Sequence, residues 1–258
     1  MNRRGFLRQG LIGGSALALS GCKVLDGLSD DEGALRRTFA SANGLTYRAQ
    51  RLIGGGHAMA QEFSRADIRQ GQHPNGSVNP DTEDYQALAQ GGFADYRLTV
   101  TGLVERPLSL GLADLIAMPA RTQITRHDCV EGWSCIAEWT GVALALVLDQ
   151  ARVKPAARYV IFHCLDPIER GLSGIVTYYE SIDLIDARHP QTILAYGMNG
   201  RPLPVANGAP LRVRVERQLG YKMAKYIHRI ELSDSLAGLG KGRGSYGADR
   251  GYDWYAGI

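Results

Sequence analysis

The sequence predicts an α+β fold with mixed β-sheets and irregularly placed helices. Two observations carry that expectation. Short apolar runs and alternating ones recur through the chain, as in Tyr159-Val160-Ile161-Phe162 and in Tyr96, Leu98, Val100, while helical spacing surfaces only in brief stretches between them. With 45% apolar residues in 258, the chain can bury a full core, which argues against disorder and against a disulfide scaffold.

The elements follow in order. Ser29-Asp30-Asp31-Glu32 can start a short helix in the polar stretch 23–44. Gly54-Gly55-Gly56 interrupts the apolar positions between Arg48 and Phe63. Residues 70–82, with His73-Pro74-Asn75-Gly76 and Asn79-Pro80, read as an irregular loop, followed by a short helix over Tyr85 to Ala89. A strand around Tyr96–Val100 leads through Gly102 and Pro107 to a helix opening at Ser109-Leu110 and reaching Ala117. The next strand, Gln123 to Val130, would put His127 and Cys129 on one face. Val142 to Leu148 reads as helix, and Tyr159–Phe162, Gly174–Tyr179 and Leu194–Tyr196 as strands. Asn199-Gly200 and Asn207-Gly208 are turn signals.

Residues 1–22 read as an export signal. Arg3-Arg4-Gly5-Phe6-Leu7 precedes an apolar run from Leu11 to Leu19 that is too short to span a bilayer. The paired arginines point to the twin-arginine route, which exports folded proteins. Leu19-Ser20-Gly21-Cys22 resembles a bacterial lipobox, so the expectation is an extracytoplasmic, periplasmic protein anchored to the membrane through lipidated Cys22. An ordinary cleaved signal with a chance cysteine is the alternative. Residues 23–44 then form a tether and short helix, and 45–258 the main domain. Without Arg3, Arg4 and Arg8, the 29 basic residues fall to 26 against 26 acidic, a balance that disfavours nucleic acid as a partner.

Cys129, Cys135 and Cys164 remain beyond Cys22. In an oxidising compartment Cys129 and Cys135 could pair. Zinc spacing and Cys-x-x-Cys-His haem spacing are absent from the sequence. The Gly238–Gly244 run could wrap an anion, yet it lacks the P-loop ending and reads as a flexible loop. Tyr246, Tyr252, Trp254 and Tyr255 read as an aromatic terminus packed on the domain.

The run Arg126-His127-Asp128-Cys129-Val130-Glu131-Gly132-Trp133-Ser134, closed by Trp139-Thr140-Gly141, resembles the metal-binding segment of the sulfite oxidase family of molybdopterin enzymes. It is more similar to the exported methionine sulfoxide reductase catalytic subunits, whose motif also reads Cys-Val-Glu-x-Trp, than to the sulfite oxidases proper. Three further motifs keep the family's order: Met198-Asn199-Gly200, then Gly208-Ala209-Pro210-Leu211-Arg212, then Gly220-Tyr221-Lys222-Met223-Ala224-Lys225. The motifs cover residues 129–225, with weaker similarity from about Asn75 to Glu231.

The resemblance implies a sulfite-oxidase-type molybdopterin-binding domain over 45–258 and the molybdenum cofactor, molybdopterin. Cys129 would ligate molybdenum and be the catalytic residue, a soft thiolate suiting that centre. Asn207, Arg212 and Met223-Ala224-Lys225 would hold the pterin and its phosphate, with Asn75 a further contact and Cys164 standing where the reductases carry a pterin-contacting threonine. Arg212 has its own case, since a guanidinium matches phosphate with two parallel hydrogen bonds. Tyr178, Tyr179, Arg170 and His127 are candidates for the mouth. For His127 and His163 a satisfied packed histidine is the commoner outcome, and Glu131 reads as structural.

The implied activity is two-electron oxygen-atom transfer on a small substrate: a sulfoxide, an N-oxide or a sulfite-like anion. Electrons would pass through a membrane b-type cytochrome or a soluble cytochrome c. Glu131-Gly132-Trp133 replaces the oxyanion-binding arginines of the sulfite oxidases, and Gln218-Leu219 replaces the reductases' Trp-Lys, so the motifs do not choose the substrate. The family's immunoglobulin-like dimerisation domain would not fit after Glu231, which points to a monomer. The alternatives are a cofactor-free ligand-binding lipoprotein that retains the fold, and a structural partner of an envelope complex.

Overall fold

A computed structural model describes residues 34–54, 57–69, 72–171 and 174–258. The expected export signal, the lipobox and the helix start at Ser29 lie outside the described residues. The chain divides between Gln50 and Arg51 into two compact units. Helix α1, Ala34–Gly54, runs across that division and ends on the first glycine of the Gly54–Gly56 triplet. No helix among the described residues is long and apolar enough to cross a membrane.

The second unit holds two sheets, as the α+β reading expects. The first contains β1 (Arg97–Gly102), β2 (Leu108–Gly111), β5 (Tyr159–Gly171), β6 (Gly174–Asp183) and β10 (Ile227–Ser233), in the order β2-β1-β10-β5-β6. β1 and β10 run parallel, with Val100 opposite Ile230, and the other neighbours are antiparallel. The second sheet orders β3 (Ala120–Asp128), β4 (Ser134–Ala143), β7 (Ile193–Met198) and β8 (Arg201–Pro202), with β9 (Arg212–Arg214) also pairing β7.

Helix α2 (Glu83–Gln90) precedes β1, and α3 (Leu112–Ala117), α4 (Leu144–Ala151) and the single turn α5 (Leu184–Ala187) lie between strands. One apolar cluster joins Leu98 and Val100 of β1, Val160 and Phe162 of β5, Ile230 of β10, Leu194 of β7 and Val147 and Leu148 of α4. Each such side chain removed from water contributes roughly 1.5–3 kcal/mol. A smaller cluster holds Ala137, Trp139, Ile193, Ala195, Met198 and Leu203.

Three local expectations are corrected. Ser109-Leu110 belongs to β2, not to a helix: Leu108 and Leu110 are buried and Ser109 is exposed, a period of two, and α3 starts only at Leu112. The Gly111 N–H donates to Asp114 Oδ2 at 2.7 Å and closes that junction. Val142 is strand, held opposite Leu194, so α4 begins two residues later than expected. β3 stops at Asp128, so Cys129 does not share a strand face with His127. Asn199 and Gly200, with φ of 51° and 72°, form the two-residue turn that sets Met198 opposite Arg201.

Candidate active site

Cys129 opens a five-residue loop between β3 and β4. Its N–H donates to the Trp133 carbonyl at 2.9 Å, and the Gly132 N–H donates to the Cys129 carbonyl at 3.1 Å, with Gly132 at a φ of 88°. Trp133 Nε1 donates to Glu131 Oε2 at 2.8 Å. The Trp133 ring stacks on His127 at 5.4 Å and meets the edge of His73 at 5.1 Å. The backbone around the thiol is therefore fixed from both sides. Cys129, Cys135 and Cys164 are all free thiols.

His127 lies beneath this loop, buried, and accepts a hydrogen bond at Nδ1 from Arg214 Nη1 at 2.8 Å. Burial first, then Arg214, Arg212 and Lys225, hold its pKa well below the usual histidine value. The ring is neutral, with its proton on Nε2, and Nε2 has no hydrogen-bond partner among the described residues. Arg214 is neutralised by a bidentate pair with Glu216, at 2.9 and 2.7 Å. Arg212 and Arg214 place their guanidinium carbons 5.0 and 4.3 Å from the Trp139 ring.

A cavity of about 270 Å³ opens beside Cys129. Of the residues the motifs point to, Cys129, Asn75, Met223, Ala224 and Lys225 line it, together with Glu131 and Tyr178. Arg212 and Asn207 sit behind this wall, both buried: Arg212 donates to the Asn207 carbonyl at 3.0 Å and to the Met223 carbonyl at 3.2 Å. Gly208, at a φ of 114°, lets them close up, because a Cβ there would come within 2.9 Å of Lys225 Cβ. Cys164 is buried in the apolar core, where burial pushes its thiol pKa well up. His127 lies under the floor, Arg170 pairs with exposed Asp81, Tyr179 donates to Asp249, and His163 pairs with Glu231 at 2.9 Å.

Asn75 belongs to a loop that no periodicity could place, and Ser77 explains its position. The Ser77 hydroxyl donates to Asp166 Oδ2 at 2.7 Å, while the Ser77 carbonyl accepts from Tyr226 Oη at 3.0 Å and from Lys225 Nζ. Tyr221 of the third motif also lines the cavity, as do Ser77, Asp166, Ile168, Tyr246, Gly247 and Tyr252, which no motif marks. Ile168 and Asp166 come from β5 beyond the apolar run Tyr159–Phe162. Tyr246, Gly247 and Tyr252 belong to the terminal aromatic segment.

The wall carries the carboxylates of Glu131 and Asp166, yet among the described residues no carboxylate hydrogen-bonds Lys225 or Arg212. Among the described residues Lys225 donates only to the carbonyls of Ser77 and Ala206, and burial with neighbouring Arg212 lowers its pKa to about 7. Burial and Arg214 lower that of Arg212 to about 9, and its Nε has no hydrogen-bond partner among the described residues. Buried cations hydrogen-bonded to carbonyls rather than to carboxylates are costly, and an anion beside them offsets that cost. Asp166 Oδ1 is a buried acceptor without a partner among the described residues, suited to a ligand's N–H group. A phosphate-bearing, N–H-rich ring system that carries a soft metal to a thiolate fits this donor set. Among the described residues no three His, Cys, Asp or Glu side chains converge on a metal position, so such a metal would draw its remaining ligands from the bound group.

Residues 86–237, more than half of the chain, match the family described as the oxidoreductase molybdopterin binding domain. The chain belongs to that family. This molybdopterin-binding oxidoreductase is a molybdenum-dependent enzyme, and the uncompensated cations and orphan acceptor beside Cys129 fit its cofactor. A relative from Azospira oryzae, named protein-methionine-sulfoxide reductase subunit YedZ1, is 32% identical over 255 residues, covering 99% of this chain and 87% of that protein. The protein-methionine-sulfoxide reductase catalytic subunit MsrP of Gluconobacter oxydans is 36% identical over 213 residues, or 71% of this chain and 68% of that one. Among solved structures, the sulfane dehydrogenase SoxCD from Paracoccus pantotrophus matches this oxidoreductase at a TM-score of 0.49 and 25% identity, covering 55% of this chain and 39% of that one.

Proposed function

We propose that this oxidoreductase reduces a sulfoxide, that of oxidised methionine in proteins, with Cys129 as the molybdenum ligand. The carrying observation is the opening of the Cys129 loop onto the same cavity as Asn75 and Met223-Ala224-Lys225. The names of the Azospira and Gluconobacter relatives support the sulfoxide over sulfite. So does the carboxylate of Glu131, which stands in the cavity wall where the sulfite oxidases offer arginines.

The bound cofactor supplies two-electron oxygen-atom transfer. The protein's residues hold and tune it. Burial, joined by the Glu131 carboxylate, pushes the free Cys129 thiol up, opposed by the backbone amides of Glu131 and Val130, so service as a ligand would release its proton and these amides would stabilise the thiolate. Lys225 would hold the phosphate side, with the Arg212 guanidinium behind the wall adding positive charge, and Asn75, Asp166 and Ser77 would orient the ring. The overall reaction consumes a sulfoxide, two protons and two electrons and yields a thioether and water. The electrons come from a membrane b-type cytochrome, in keeping with export through the twin-arginine signal to the periplasm and anchoring at lipidated Cys22.

The test is molybdenum per chain in wild type and in Cys129→Ser, together with sulfoxide-dependent oxidation of a reduced viologen dye. Near-stoichiometric metal and turnover in wild type, both lost in the variant, are expected. Metal retained at full occupancy in Cys129→Ser would overturn the assignment of the ligand; a loaded wild type that reduces no sulfoxide would overturn the substrate.

A further inference from the structure

The cavity wall divides by chemistry. Asn75, Asp166 and Lys225 bring polar groups, whereas Ile168, Tyr178, Tyr221, Tyr246 and Tyr252 bring ring and alkyl surface. Two of those aromatic residues, Tyr246 and Tyr252, lie beyond the family match that ends at residue 237.

This terminal segment is built in as a strap. The Asp249 carboxylate is buried and accepts from Lys241 N at 2.7 Å, from Arg243 N at 3.2 Å and from the Tyr179 hydroxyl. The glycine-rich loop thus wraps an anion of its own chain. At Gly240 a Cβ would collide with that cluster, 2.1 Å from Asp249 Oδ2. The Tyr246 N–H donates to the Tyr179 carbonyl at 3.0 Å, covering the edge of β6, the outermost strand of its sheet.

The strap's rings dock on the family-matched rings: Tyr252 stacks on Tyr221 at 5.2 Å, and Tyr246 packs against Tyr178 at 5.6 Å. Their polar tips are turned to other partners. Tyr178 Oη donates to the Tyr221 carbonyl at 2.6 Å, Tyr221 Oη to the Asp253 carbonyl at 2.7 Å, and Tyr246 Oη to Glu169 at 3.1 Å. Arg250, 3.5 Å from the Tyr246 ring centre, is neutralised by Glu169. Of the strap, Tyr246, Gly247 and Tyr252 line the cavity among the described residues, so what it adds there is ring surface and no cation.

We infer that the strap over residues 238–258 forms the substrate-side wall of the cavity, and that Tyr246 and Tyr252 make the enzyme select neutral sulfoxides with bulky apolar substituents over small or anionic oxygen donors. This rests on the sulfoxide reading above. Tyr252 is 52% exposed, which places its ring at the mouth and makes its truncation tolerable to the fold.

The experiment compares wild type, Tyr252→Ala and Tyr246→Ala, each loaded with cofactor, using methyl p-tolyl sulfoxide and dimethyl sulfoxide as substrates and methyl phenyl sulfone as a calorimetric binding probe. Loss of one ring contact should raise the KM for the aryl sulfoxide about tenfold and that for dimethyl sulfoxide less than twofold, with molybdenum content unchanged. Sulfone binding should weaken in parallel. An unchanged aryl preference, or loss of molybdenum from Tyr252→Ala, would overturn the strap's role. If wild type reduces neither sulfoxide, the function proposed above fails while the sulfone titration still decides whether the strap holds an apolar ligand.

Discussion

His127 and Gly220 meet so closely that the glycine has no substitute: a Cβ on Gly220 would lie 2.3 Å from His127 Nε2 and 2.6 Å from its Cε1. The imidazole cannot retreat, since Arg214 holds its Nδ1 and the Trp133 ring stacks on it. Gly220→Ala should therefore push His127 into Trp133 and shift the Cys129 loop. Overpacking of this kind costs about 1–3 kcal/mol. A chemical denaturation series should show that loss of stability, and molybdenum content should fall further than stability alone explains. A variant as stable and as metal-replete as wild type would refute the coupling.

The cofactor-free protein should respond to pH through Lys225, whose pKa is lowered to about 7 by burial and Arg212 from an unfolded value near 10.5. Between these values the unfolded chain binds a proton that the folded chain does not, so stability rises with pH from about 7 to about 10.5. Lys225→Met should flatten that slope. Cofactor loading should run the other way, because phosphate needs the ammonium form: retention after dialysis should fall as pH is raised above 7. Loading that improves with pH would remove Lys225 from the phosphate contacts.

Much of this arrangement was legible in the chain. The alternation at Leu98 and Val100, the Asn199-Gly200 turn and the run around Cys129 each carry a local physical signal that tertiary structure left in force. Where the reading failed, pairing overrode local pattern. Ser109-Leu110 and Val142 follow their strand neighbours, and β3 ends one residue before the cysteine. Cys129, Asn75 and the Met223–Lys225 run do meet at one cavity, yet Arg212 and Asn207 stand behind its wall. Asp166, Tyr246 and Tyr252 were illegible for a different reason. Their place at the cavity depends on the hydrogen bonds from Ser77 to Asp166 and from Tyr179 to Asp249, which join segments distant in sequence and leave no periodic trace.

His189 should make the fold sensitive to acid. Its Nδ1 accepts from Gln191 N at 3.2 Å and its Nε2 donates to the Ala58 carbonyl at 3.1 Å, an arrangement only the neutral ring can make. Burial, reinforced by Arg217, lowers its pKa from 6.5 to about 4. Below pH 6.5 the unfolded histidine takes up a proton that the folded one refuses, so stability declines until about pH 4. Histidine NMR titration should find the His189 ring, like that of His127, still neutral at pH 5; a ring at His189 that protonates near 6.5 would contradict the tautomer.

Lys222 and Glu180 form a buried ion pair beneath the aromatic wall, with Lys222 also donating to the Ser181 carbonyl at 2.8 Å and Tyr178 Oη within 3.4 Å of Glu180 Oε2. Both side chains are fully shielded from water. Lys222→Met leaves the carboxyl without its cation, a loss of roughly 3–5 kcal/mol. Burial already raises the Glu180 pKa and the ammonium opposes it, so without the ammonium the folded-state value climbs further above the unfolded one. The folded variant then keeps a proton that the unfolded chain releases above pH 4.5, and its stability falls as pH rises. Adding Glu180→Gln should restore much of the loss and abolish that slope. Urea denaturation of the two single variants and the double variant at pH 5 and pH 8 checks both; additive losses independent of pH would mean that the two charges do not act as a pair.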